Sequence, residues 1–150
     1  MKLRTPVWVV GGASVLVFIG SLLPWITAQV SFISVSENGT SGDGKITLIF
    51  SLITIGALLA EAKLEHIAWR FVAALSILVM FGVSLYDTIH IGSKSYSSGS
   101  IHVSAGVGSG LYICLIASIV AAVAWVVDFR SRDSDVTKVS QVSDPADQLA

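Results

Sequence analysis

Residues 107–127 read VGSGLYICLIASIVAAVAWVV, twenty-one positions without one charged side chain. Wound as an α-helix at 1.5 Å per residue, such a run is about 31 Å long, close to the thickness of a bilayer's hydrocarbon core. A soluble helix of this length would carry a polar face of Glu and Lys at 3.6-residue spacing, and none is present. The stretch therefore reads as a membrane span, and three further long apolar windows precede it: 7–27, 46–62 and 67–86.

Composition agrees. Over 150 residues, 53% are hydrophobic and only 13% charged, with a mean hydropathy of +0.79. A hydrated surface requires about a quarter charged residues. The fold class expected is an all-α membrane protein, a four-helix transmembrane bundle spanning residues 1–129. Residues 130–150 are polar, rich in Ser and Asp and contain Pro145, which predicts a disordered cytosolic tail. Lys2 and Arg4 before the first span resemble a signal-peptide n-region. The apolar run is longer than the usual h-region, and no small-x-small cleavage site follows, so an uncleaved first helix is expected.

Charge distribution orients the bundle. With the N-terminus inside, Lys2, Arg4, Lys63, Arg70, Arg130, Arg132 and Lys138 fall on the cytoplasmic side, and only Lys45 and Lys94 outside. Cytoplasmic loops carry the excess of Lys and Arg, so both termini are expected in the cytoplasm of a multi-pass plasma-membrane protein. Trp8, Trp25, Trp69 and Trp125 each lie near a predicted helix end, the level that amphipathic indoles favour. Arg70, one turn into the third span, is expected to snorkel along its own aliphatic stem. Lys63 and Arg70 are near enough in sequence to partner Glu61, Glu65 and His66, as interfacial charge.

The external loops are predicted at 28–45 and 87–106. Val30, Phe32 and Val35 form an interrupted alternation, followed by turn residues at Asn38-Gly39 and Gly42-Asp43-Gly44, predicting a short strand leading into span two. Two alternating segments around a Gly/Ser-rich turn predict a β-hairpin in the second loop. Together they would form a small extracellular sheet over the bundle. Thr47, Ser51 and Thr54 in span two are expected to bond their hydroxyls to preceding carbonyls. Pro24 kinks or ends a helix.

Few residues suggest chemistry. Gly106 and Gly110 form a GxxxG, and Ala117–Ala121 and Ser118–Ala122 repeat the four-residue spacing of small residues that lets helices approach closely. Such a face serves either homo-oligomerisation or docking to a membrane-protein partner, or packing inside the chain's own bundle. His90 and His102 sit in matching Ile-His-Ile and Ile-His-Val contexts. A hairpin centred near Tyr96 would set them opposite each other as candidate metal ligands or a pH-sensing pair, with Asp87 or Glu37 nearby. Ordinary strand surface is the competing reading. Asp43-Gly44-Lys45-Ile46 carries part of a calcium-loop pattern, but Gly39 and Phe50 occupy positions where oxygen ligands are required. Asn38-Gly39-Thr40 is a glycosylation sequon, relevant only in a eukaryotic secretory host. Cys114 is the one cysteine and reads as a small buried hydrophobe.

No nucleophile triad, phosphate-cradling glycine loop or cofactor motif is present, and a net charge of −1 offers nothing to nucleic acid. No enzyme activity, cofactor or nucleic-acid partner is expected; the expected partners are the lipid bilayer and other membrane proteins.

Leu23-Pro24-Trp25, Gly42-Asp43-Gly44-Lys45-Ile46-Thr47 and the Gly-x-Gly-x-Gly-Leu opening of span four resemble the uncharacterised small four-span membrane proteins of actinobacterial type. The resemblance covers residues 7–127 and implies a bacterial plasma membrane without assigning an activity. The topology is also similar to that of claudins, but the claudin signature is missing, since only Trp25 matches and both loop cysteines are absent. The reading that follows is a non-enzymatic accessory or scaffold subunit. The alternatives are a solute or ion pathway formed by an oligomer and an extracellular metal or pH sensor.

Overall fold

Pro24 divides the first apolar run. Its ring removes an N–H and disfavours helical geometry at Leu23, so the helix must stop before it. In the computed structural model, which describes residues 5–30, 33–64, 67–92, 95–98 and 101–142, helix α1 covers Thr5–Leu22 and strand β1 begins at Pro24. The span expected at 7–27 is thus shorter by its last turn, and Trp25, Ile26 and Thr27 belong to a sheet.

The remaining order is β2 (Ile33–Asn38), a single 3-10 turn (Gly39–Ser41), α2 (Gly44–Leu64), α3 (Ala68–Gly92), β3 (Ser95–Ser98), β4 (Ile101–Val107) and α4 (Ser109–Val142). Three helical segments, Gly44–Leu64, Ala68–Ile91 and Ser109–Ser131, are long and apolar enough to cross a membrane, and Pro6–Leu22 is a shorter apolar helix. α1 packs on α4 and α2, and α3 packs on α2 and α4, which closes a four-membered ring. The C-terminal ends of α1 and α3 and the starts of α2 and α4 all meet the strands, so neighbouring helices run antiparallel. The α2–α3 turn lies at the opposite end.

The strands form one antiparallel sheet in the order β2-β1-β4-β3. The two loops therefore do join in a single small sheet, with a β1–β2 hairpin in the first loop where the alternation predicts a lone strand. Ala28 sits between Val35 and Ala105 in the register. Two backbone bonds fix the sheet to the bundle: the Gly39 N–H donates to Leu23 O at 3.1 Å and the Gly108 N–H to Trp25 O at 2.7 Å. Gly108 has no room for a side chain, since a Cβ there would collide with the carbonyl of Pro24.

Two helices outrun their expected ends. α3 continues through Asp87–Gly92, a segment whose alternation predicts strand. Each added helical residue gains a backbone hydrogen bond at little entropic cost, and Gly92 is the first residue there to interrupt it. α4 likewise runs to Val142 through most of the predicted disordered tail, with neither Gly nor Pro between Leu111 and Asp144 to stop it. Residues 143–150 of that predicted tail lie outside the described residues.

The interior sets Val10, Val17, Ile77, Met80 and Leu111 among many small and hydroxyl side chains: Ala13, Ala57, Ala73, Ala117 and Ala121 beside Ser14, Ser21, Thr47, Ser51, Thr54, Ser76 and Ser118. Most large aliphatics face outward, with Leu59, Leu78 and Ile116 each more than 60% exposed. A water-soluble fold buries such residues, whereas lipid solvates them and leaves helix association to close packing and hydrogen bonds.

Candidate functional site

The α1–α4 contact is the tightest seam. A Cβ at Gly20 would lie 2.7 Å from Cys114 Sγ and 3.0 Å from Gly110 O, and one at Gly110 only 2.6 Å from Gly20 O. The two helix backbones touch at these glycines. Below them Ala117 and Ala121 join Val10, Ala13 and Val17 in the core, Ser118 is buried with its hydroxyl donating to Leu115 O at 2.9 Å, and Ala122 packs partly buried against the same core. Gly106 is separated from this face. It belongs to β4, where a Cβ would stand 3.2 Å from Thr27 Oγ1, so the predicted GxxxG is split between a strand and a helix. The small residues that suggest oligomerisation are thus engaged inside the chain's own bundle.

Interior hydroxyls close on their own helices, as anticipated for span two. Thr47 donates to Gly44 O at 2.9 Å, Ser51 to Leu48 O at 2.7 Å and Thr54 to Phe50 O at 2.9 Å. Ser14, Ser21 and Ser76 make the same kind of bond. Ser21 and Thr47 also meet each other at 2.8 Å, linking α1 to α2. Trp25 is not at an exposed interface; it is buried, with Nε1 donating to Gly20 O at 3.0 Å.

At the end away from the sheet lies a charged cluster. Arg70 of α3 pairs with Asp128 of α4 at 3.1 Å and with Glu61 of α2 at 3.6 Å. Its guanidinium also stands 5.6 Å from the centre of the Phe129 ring, which stacks on Trp125. The Arg70 side chain is only 13% exposed, so it is an inward tie between three helices and not a snorkelling residue. Glu61 is a partner that sequence proximity predicts; Asp128 is not, because it falls one residue beyond the predicted fourth span. A signal for it exists nonetheless, since the up-and-down order of the spans puts the end of α4 beside the start of α3.

The hairpin register that would set His90 and His102 opposite each other is not the one observed. His90 lies on α3, exposed, with its ring stacked on Tyr86 at 5.2 Å, whereas His102 is in β4 opposite Ser97. The hairpin turns between Ser98 and Ile101, not near Tyr96, and the helix keeps His90 out of the sheet altogether. Among the described residues, no group of three or more His, Cys, Asp or Glu is placed to hold a metal ion.

A polar pair on the inner face of α3 near the sheet has no counterpart in the sequence motifs. Ser84 is fully buried and its Oγ makes no hydrogen bond. Asp87, three residues on and 8% exposed, is attracted by His90 one turn beyond it and repelled by Asp43. No protein-family model matches the chain, and neither a curated protein nor a solved structure does.

Proposed function

We propose that the chain is a non-enzymatic, four-span protein of the plasma membrane, acting as an accessory or scaffold subunit that binds other envelope or membrane proteins. The outward display of large aliphatic side chains around a small-residue interior supports the bilayer as its solvent. α1, at 18 residues, is about 27 Å long, a span that tilt-free helices in a slightly thinned bilayer accommodate. Its place in the closed ring supports counting it as the fourth span. The surplus of Lys and Arg at the end away from the sheet supports cytoplasmic termini and an external sheet.

One observation carries the scaffold reading over a transport reading: the buried hydroxyls of α1, α2 and α4 are spent on their own helix backbones. A conducting path needs polar groups turned to a cavity, and these are turned to carbonyls. The outer edges of β2 and β3, by contrast, leave backbone groups for a further strand. The runner-up, an oligomeric solute or ion pathway, is favoured by the inward Asp87 alone.

The test is purification of the full chain in mild detergent after photo-crosslinking from position 35 on the exposed face of β2. A stoichiometric protein partner crosslinked at that edge supports the scaffold. A homo-oligomer that conducts in liposomes overturns it. Sidedness is checked separately with Ser134→Cys: Cys114 is fully buried, so an impermeant maleimide should label the variant only after the cells are opened.

A further inference from the structure

A strand at the rim of a sheet leaves a row of N–H and C=O groups without a ladder, and folds keep such rims short, charged, bulged or covered. β2 is a rim of six residues with no proline and one charge, Glu37, and its Val35 is 57% exposed. The irregularity in its pairing lies at the Pro24 end and leaves Ile33–Glu37 in even register with β1. β3, the opposite rim, pairs with β4 alone among the described residues.

The directions of the two rims follow from the chain order. β1 and β3 start from the ends of α1 and α3 and lead away from the bundle, while β2 and β4 return to the starts of α2 and α4. The rims therefore run in opposite senses. A second copy standing beside the first, with the same orientation in the same membrane, brings its β2 antiparallel to the first copy's β3, the more stable ladder. Like rims set together about an axis along the membrane normal are antiparallel only if the sheet lies flat on the membrane.

Face and charge then select a register. Val35 stands opposite Ala28, Ala28 opposite Ala105, and Tyr96 opposite Val103, two residues from Ala105. Positions two apart on a strand share a face, so positions 35 and 96 belong to the same face of the sheet. A sheet continued through both copies must keep them so, which sets odd-numbered positions of β2 against even-numbered positions of β3. Two such registers pair all four residues of β3. One sets position 35 against 96 and brings Glu37 opposite the position before β3, which is Lys94 in the sequence. The other sets Glu37 against Tyr96. Opposite charges across a ladder favour the first.

We propose that the sheet edge binds a second copy of the chain, β2 of one copy pairing with β3 of the next, head to tail. Such an interface is heterologous: it closes into a ring where the rotation between neighbours allows, and otherwise runs on as an open row. The assignment rests on the reading of the sheet edges as binding surfaces and names what occupies them.

The experiment is disulfide crosslinking of the full chain in membranes, with Val35→Cys and Tyr96→Cys on two differently tagged copies. Cys114 is fully buried and stays silent. Under a mild oxidant, co-expressed copies should join through their two tags, and neither variant expressed alone should dimerise. Glu37→Lys on the copy with Val35→Cys should lower the yield about 2- to 5-fold, the worth of an exposed ion pair, and Lys94→Glu on the other copy should restore it. Ile33→Cys with Ser98→Cys, two positions along in the same register, serves if a first variant does not fold. No joined pair overturns the proposal, as does a dimer of Val35→Cys with itself or a yield indifferent to the charge exchange. A disulfide from position 35 to a different protein overturns it too, but leaves the scaffold reading standing. Conduction by the oligomer ends the scaffold reading and leaves the crosslink in place.

Discussion

Each end of the bundle holds a buried aspartate, and the two are held differently. Asp128, 5% exposed, meets the guanidinium of Arg70 at 3.1 Å. Asp87, 8% exposed, has His90, one turn further along its own helix, as its basic neighbour and Asp43 as an acidic one. Burial is nearly equal, so burial does not distinguish them; the partner does. A carboxylate matched by a protein cation ties helices together. One whose basic neighbour lies on its own helix joins no two helices.

The largest effect should come from unmatching the first. Arg70→Met leaves Glu61 and Asp128 facing one another without their cation and should cost about 3–5 kcal/mol, read as a collapse of the thermal midpoint in detergent. Restoring apolarity with Arg70→Met/Asp128→Leu should recover part of that loss. If the single variant unfolds no earlier than wild type, Asp128 is no better matched than Asp87 and the contrast fails.

Next in size are the glycines. Gly110→Ala drives a methyl to 2.6 Å from the Gly20 carbonyl and should cost about 1–3 kcal/mol as overpacking. Gly82→Ala, where a Cβ would meet nothing within 4 Å, should instead gain up to about 1 kcal/mol of helix propensity. Opposite signs for two identical substitutions, measured by the same unfolding assay, would show that helix backbones approach closely at Gly110 and not at Gly82.

Smaller again is Asp87→Asn. His90 attracts its carboxylate and Asp43 repels it, so the change should stay within about 1 kcal/mol, against the larger loss expected for Asp128→Asn. A loss comparable to that of Asp128→Asn would mean that Asp87 is tied down by the protein itself. The smallest effect belongs to Ser51→Ala. Its hydroxyl bonds only Leu48 O of its own helix, so the change should fall within about 0.6 kcal/mol.

Much of this architecture is legible in the residues alone. The α2–α3 turn, the span within α4 and the joining of both loops in one sheet follow from apolar length and from alternation. The errors cluster where two periodicities compete over a few residues. Asp87–Ile91 alternates like a strand, yet it continues an established helix, and continuing is cheaper than starting anew. That one misreading carries His90 from helix to sheet and creates a cross-strand pairing with His102 that the register does not contain. It also hides Asp87, which lies on a helix face with Ser84 only if the helix persists. Trp25 is misplaced for a related reason: amphipathic residues near a span end favour the interface on average, but here Pro24 turns the chain back over Gly39, and the indole is enclosed by the turn it helps to make. The Arg70–Asp128 pair requires a long-range contact between α3 and α4, which no local pattern encodes.

The two backbone bonds at Leu23 and Trp25 have a mechanical meaning. They flank Pro24, whose φ is locked, so no compliant joint separates the last turn of α1 from the first residues of β1. Whatever grips the outer strand edge pulls directly on a helix whose other face is interlocked with α4 at Gly20 and Gly110. A load taken up at the sheet is thereby felt along two of the four helices at once, without slack.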